Sequence, residues 1–116
     1  MKGSDEMNIT RGDTKSFKFR RKSDGKPITQ EADNIYFTVK YTNYTDEVLF
    51  QKTIDDMDFD EEYYYHFTIL PEDTNELEYG DYKYDIEVKI GDTYVKTIAK
   101  GTLKIEEETT FMVNEV

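Results

Sequence analysis

The sequence predicts an all-β protein, an antiparallel β-sandwich of about seven short strands forming one domain over residues 1–116. Three observations lead there. Apolar and polar residues alternate strictly in several runs, turn residues separate those runs, and helical periodicity is nearly absent. The clearest run is Tyr82, Tyr84, Ile86, Val88 and Ile90 against Lys83, Asp85, Glu87 and Lys89. Nine residues in strict alternation describe a strand with one face in a core and one in water.

The other elements follow in chain order. Phe17 and Phe19 alternate with Lys18 and Arg20, predicting a strand over 17–21 that reverses at Asp24-Gly25 and Pro27. Residues 35–41 place Ile35, Phe37 and Val39 on one face and Tyr36, Thr38 and Lys40 on the other. A strand over 48–52 leads into the acidic segment 53–62. From Tyr63 onward, Tyr63, Tyr65, Phe67 and Ile69 oppose Tyr64, His66 and Thr68. Pro71 with Glu72 and Asp73 suits a single helical turn, since proline fits a first helical position and acids favour a helix N-terminus. Gly91-Asp92 predicts a two-residue hairpin into a strand over 93–99, and Gly101 a bulge or bend before Leu103 and Ile105. The ends, 1–7 and 112–116, are expected to be flexible or peripheral.

Composition narrows the function classes. There is no cysteine, which excludes a disulfide framework, a cysteine zinc site and a thiol nucleophile. Ten Tyr and seven Phe supply the core area that a 36% hydrophobic content would otherwise lack. A net charge of −11 opposes binding to nucleic acid or to an anionic membrane. No apolar run is long enough to span a bilayer, and residues 1–10 lack the apolar centre of a signal peptide.

The segment before the most regular strand refines the fold. Gly80 permits a tight turn, and Tyr82 and Tyr84 open the strand. In immunoglobulin-like sandwiches a tyrosine near the start of the penultimate strand bonds back across the corner, and a core residue follows two positions later. Tyr82 and Tyr84, after the turn at Gly80, stand in those places, which favours an immunoglobulin-like sandwich. An ordinary turn with two core tyrosines accounts for the same residues.

No catalytic constellation emerges, and the expectation is a non-enzyme without a cofactor. His66, the one histidine, falls on the outward side of its strand with no nucleophile in a recognisable pattern. Asp56, Asp58 and Asp60 match the opening of a calcium loop. The match then fails, with Glu61 at the glycine position and Phe67 at the closing glutamate, so a solvated acidic loop is the stronger reading. Arg11-Gly12-Asp13 spells the integrin tripeptide, and its Gly-Asp pair equally suits a turn into the next strand. Tyr36, Tyr41, Tyr44, Tyr64 and Tyr94 lie on faces that alternation does not assign to the core. Tyrosine gives large contact area at low entropic cost, making these the interface candidates, with cross-strand pairing as the plainer use. The C-terminal segment 106–116 is acidic with an apolar cluster at Phe111, Met112 and Val113, and suits an edge strand, a tail or a docking segment.

The order and spacing of several pieces also resemble a known group. Ile35-Tyr36-Phe37-Thr38-Val39-Lys40 is followed by Leu49-Phe50-Gln51-Lys52 and then by Pro71-Glu72-Asp73-Thr74. Leu77, Tyr79-Gly80 and Tyr82-Lys83-Tyr84-Asp85-Ile86 complete the pattern. Over about residues 8–110 the chain resembles short prophage proteins of Gram-positive bacteria (Firmicutes). More loosely, it is similar to the immunoglobulin-like N-terminal domain of phage baseplate upper proteins. The resemblance implies a structural, protein-binding role in a phage tail or baseplate, with other virion proteins or further copies of itself as partners. It places the protein in the bacterial cytoplasm during assembly and then in the virion. With no second domain or long linker in this sequence, a standalone accessory subunit is expected. The alternative from a different class is a bacterial surface or carbohydrate-binding module using aromatic platforms and an acidic loop.

Overall fold

The runs that alternate most strictly become the strands at the centre of the molecule. The structure is a computed structural model that describes residues 5–42 and 44–107. Its strands are β1 (Asp5–Thr10), β2 (Lys15–Phe19), β3 (Lys22–Ser23), β4 (Lys26–Pro27), β5 (Asn34–Lys40) and β6 (Phe50–Thr53). After a 3-10 turn at Ile54–Asp56 come β7 (Asp58–Phe59), β8 (Tyr65–Ile69), the one-turn helix α1 (Pro71–Thr74), β9 (Gly80–Ile90) and β10 (Tyr94–Glu106). The expectation of about seven strands becomes ten among the described residues. Seven have four or more residues, and β3, β4 and β7 are two-residue ladders too short to show any alternation.

The strands form three sheets. Five run in the order β1-β10-β9-β5-β6, three in the order β2-β8-β7, and β3 pairs with β4 as a small hairpin. The large sheet is curled into a half-barrel and is mixed, which corrects the purely antiparallel expectation. Asp5 of β1 pairs with Gly101, and the register runs parallel to Thr10 beside Glu106. Side-chain alternation reports faces and carries no information on strand direction, so this pairing left no trace in the pattern. Residues 5–7, among those expected to be flexible or peripheral, belong to the edge strand β1, with Met7 packing against the core. Residues 1–4 and 112–116 lie outside the described residues.

The inward faces of the two larger sheets share one core. Ile35, Phe37 and Val39 of β5 are wholly buried, as is Ile69 of β8. Tyr82, Tyr84, Ile86 and Val88 of β9 and Leu103 and Ile105 of β10 complete the wall. Phe37 joins the sheets: its ring lies 4.6 Å from Phe67 of β8, and 5.6 Å from Tyr84 within its own sheet. Each fully buried side chain of this size contributes about 1.5–3 kcal/mol by leaving water. The Tyr65 hydroxyl accepts a bond from the buried Ala32 amide at 3.1 Å, holding the loop before β5 against the core.

Several local expectations are corrected by turn geometry. The β9–β10 turn has three residues, because Ile90 pairs with Tyr94 and Gly91 takes a positive φ of 63°. The bulge in β10 is at Ile98, where the register skips between Thr97 and Ala99, while Gly101 pairs regularly with Tyr84. β8 starts at Tyr65 because Tyr63, at φ 71°, lies in the turn before it. β2 covers Lys15–Phe19 and β6 Phe50–Thr53, each displaced by about two residues from the alternation that announced it.

Candidate interaction surface

The tyrosines singled out by alternation are not gathered onto one surface. Tyr36 stands half-buried on the outer face of β5, where its hydroxyl accepts from Asn34 Nδ2 at 2.9 Å. Tyr64 lies beside β8 on the outside of the smaller sheet, with Lys18 Nζ and the Arg20 guanidinium each over its ring at 4.3 and 4.4 Å. Tyr41 is exposed at the end of β5 and leans on Tyr82 with ring centroids 5.9 Å apart. Tyr44, in the following loop, is 98% exposed. Tyr94 is half-exposed at the start of β10.

The corner residues sit together. Gly80 opens β9 at φ 141°, and the buried Tyr82 donates its hydroxyl to the Glu78 carbonyl at 2.6 Å. Burial and the nearby Glu78 charge raise the Tyr82 pKa above its ordinary value, because both disfavour a phenolate. Tyr84 is buried against Phe37.

The acidic loop is used by its own backbone. Asp56 Oδ2 accepts from the Thr53 amide at 2.9 Å, closing the 3-10 turn, and Asp58 pairs with His66 in the β7–β8 ladder. Asp60 Oδ1 accepts from the amides of Glu62 and Tyr64 at 2.8 and 2.9 Å, and Oδ2 meets His66 Nε2 at 2.6 Å. The His66 bond first, then the Tyr64 amide, lowers the Asp60 pKa to about 2. Among the described residues no group of three acidic or imidazole side chains is placed to hold a metal ion. The integrin-like tripeptide is a structural joint: Arg11 donates to the Leu77 carbonyl at 3.3 Å and to the Tyr79 hydroxyl at 3.0 Å, and stacks over the Tyr79 ring.

A surface that alternation did not reveal lies on the open flank between the sheets. β1 covers β10 only from Gly101 onward, so among the described residues 94–100 are paired on the β9 side alone. Among the described residues β2 is likewise an end strand, bonded only to β8. Between these two edges runs a groove of about 420 Å³. Its apolar lining includes Phe19, Ile28, Ile86, Val88 and Ile98, and its cations are Arg20, Arg21, Lys22 and Lys96. Arg20 and Arg21 each keep a buried Nε without a hydrogen-bond partner. Ile90, Tyr94, Val95 and Ile98 expose apolar area at the same end of the molecule. The one sequence signal was Val95 and Ile98 standing three apart, which breaks period two and marks the bulge.

The described residues contain no helix long and apolar enough to cross a membrane. No protein-family model matches this chain, and no curated protein matches it.

Proposed function

We propose that this chain is a non-enzymatic structural and interaction module of a phage or prophage tail or baseplate, built as an immunoglobulin-like sandwich. Two facing sheets and the Tyr82 hydroxyl reaching back to Glu78 support the sandwich reading. The order β1-β10-β9-β5-β6 opposite β2-β8-β7 is compatible with it. The phage assignment is supported by the order and spacing of the segments between about residues 8 and 110.

The observation that carries the interaction role is the open flank. Unpaired strand edges are templates for another chain, and soluble domains ordinarily blunt them with charge, bulges or covering segments. Here the 94–100 edge has a bulge and Lys96, yet Tyr94, Val95 and Ile98 along it are exposed, Tyr94 and Ile98 lining the groove. An edge of this kind suits a module that binds by adding a partner's strand. The only histidine is engaged with Asp60 in a turn-fixing contact, where nothing resembles a nucleophile–base pair.

The test is proteomics of phage particles released on induction of the source strain. The chain should comigrate with purified particles in fixed proportion to a tail protein. Its absence from particles, with all of it remaining in the host lysate, overturns the reading.

A further inference from the structure

We propose that the groove between β2 and the open half of β10 is the docking site for residues 107–116 of a second copy of this chain, added as a strand. The inference rests on the interaction role proposed above and names the occupant of that flank.

Charge selects the occupant. The chain carries −11 overall, yet Arg21, Lys22 and Lys96 line this groove, and Arg20 borders it with its guanidinium over Tyr64. A ligand suited to it is acidic at its ends and apolar where it meets Phe19, Val88 and Ile98. Residues 107–116 have that order: Glu107 and Glu108, two threonines, then Phe111, Met112 and Val113, then Glu115. Threonine and β-branched or aromatic residues also favour an extended strand. Among the described residues no strand pairs with the outer side of 94–100, so that backbone supplies the ladder and the groove supplies sites for alternate side chains, the two components of strand addition.

Position argues for a second copy rather than the same one. β10 leaves the sheet at Glu106, the end away from the groove, and β1 lies along its edge from Gly101 to Glu106. The chain's own tail would have to double back across β1. A neighbour's tail meets no such obstacle, and reciprocal exchange between two copies closes a dimer, whereas one-way docking builds a ring.

The test uses the full chain and two variants. Phe111→Asp alters the tail alone; Lys96→Glu combined with Ile98→Asp alters the groove alone, both at exposed positions. Circular dichroism establishes that each variant folds. By sedimentation velocity the parent chain should self-associate, less strongly as salt is raised, and each variant alone should be monomeric. An equimolar mixture of the two variants should recover a heterodimer, since one keeps an intact groove and the other an intact tail.

Three outcomes overturn the proposal: a parent chain monomeric to millimolar concentration, association untouched by either variant, or no recovery on mixing. A monomeric parent still found in particles removes this inference and leaves the interaction role standing. Should either variant fail to fold, the synthetic peptide 107–116 titrated into the full chain serves instead. The expected result is then dissociation of the self-associated chain, and unchanged association overturns the proposal.

Discussion

Thr74 Oγ1 accepts a hydrogen bond from the Gly12 amide at 2.9 Å, across 62 residues of sequence. Thr74 is wholly buried in α1, and Gly12 turns the chain from β1 to β2 at φ 83°. One hydroxyl thus fastens the β1–β2 turn, in which the Asp13 amide bonds the Thr10 carbonyl, to the helix ahead of β9. Arg11 makes a second tie to the same connection through Leu77 and Tyr79.

Thr74→Val keeps the volume and removes the acceptor, leaving a partly buried amide unpaired. The expected cost is about 1–3 kcal/mol, the desolvation penalty of an unsatisfied donor. Thr74→Ser retains the oxygen and should cost well under half as much. Urea unfolding of the three proteins measures both; equal losses for Val and Ser would assign the effect to packing.

Tyr82 joins packing to a hydrogen bond at the corner before β9. Tyr82→Phe preserves the ring and deletes the bond to the Glu78 carbonyl, an expected loss of about 1 kcal/mol. The titration has a definite sign. Because the folded-state pKa is raised above 10.0, the contribution is fully present below pH 10 and is lost as pH rises through the folded value. Stability measured from pH 8 to 11 should therefore fall more steeply in the parent protein than in Tyr82→Phe.

Phe37 is the side chain on which the two sheets meet, with Phe67, Tyr84 and Phe50 around its ring at 4.6, 5.6 and 6.3 Å. Phe37→Ala should cost about 3–5 kcal/mol, transfer and cavity terms together. That is a large share of the 5–15 kcal/mol typical of a domain. Phe50→Ala, at the partly buried β6 edge, should cost distinctly less. Equal midpoints in guanidinium would remove Phe37 from its central place.

The sequence was most informative where burial is strongest and strands are long. In β9 the alternation of Tyr82, Tyr84, Ile86 and Val88 translates directly into burial, and only Ile90, at the turn, emerges into solvent. β10 was harder because its parity changes within the strand. Lys96 pairs with Val88 and Ala99 with Ile86, so the extra residue at Ile98 shifts the pattern between them. Gly101 drew attention as a bulge, yet it pairs regularly with Tyr84, because the absence of a side chain does not oblige a strand to bend. The groove stayed hidden for a related reason. Among the described residues it is an absence of pairing, since β1 begins at Asp5 beside Gly101, and no residue type encodes such a gap. At the interface candidate Tyr64, Lys18 and Arg20 reach the ring from strand β2 and the residue after it, a cross-strand relation beyond single-segment alternation.

Asp60 provides the acid-side prediction. Its carboxylate holds the turn from Asp60 to Tyr64 through two amides and binds His66, and together these lower its pKa from 3.8 to about 2. A group with a depressed folded-state pKa stabilises the fold above its unfolded value and loses that contribution as pH falls through the folded one. The window is therefore between about pH 4 and pH 2. Asp60→Asn keeps an oxygen for the two amides and removes the charge, so it isolates the titration. The variant should be less stable than the parent at pH 7, and the gap between their urea midpoints should narrow steadily through that window. Subtracting the two curves matters, because the chain has 26 acidic residues and others titrate in the same range. A gap that stays constant from pH 5 to pH 2 would mean that the folded state does not favour the ionised Asp60, and that the His66 contact is incidental to the turn.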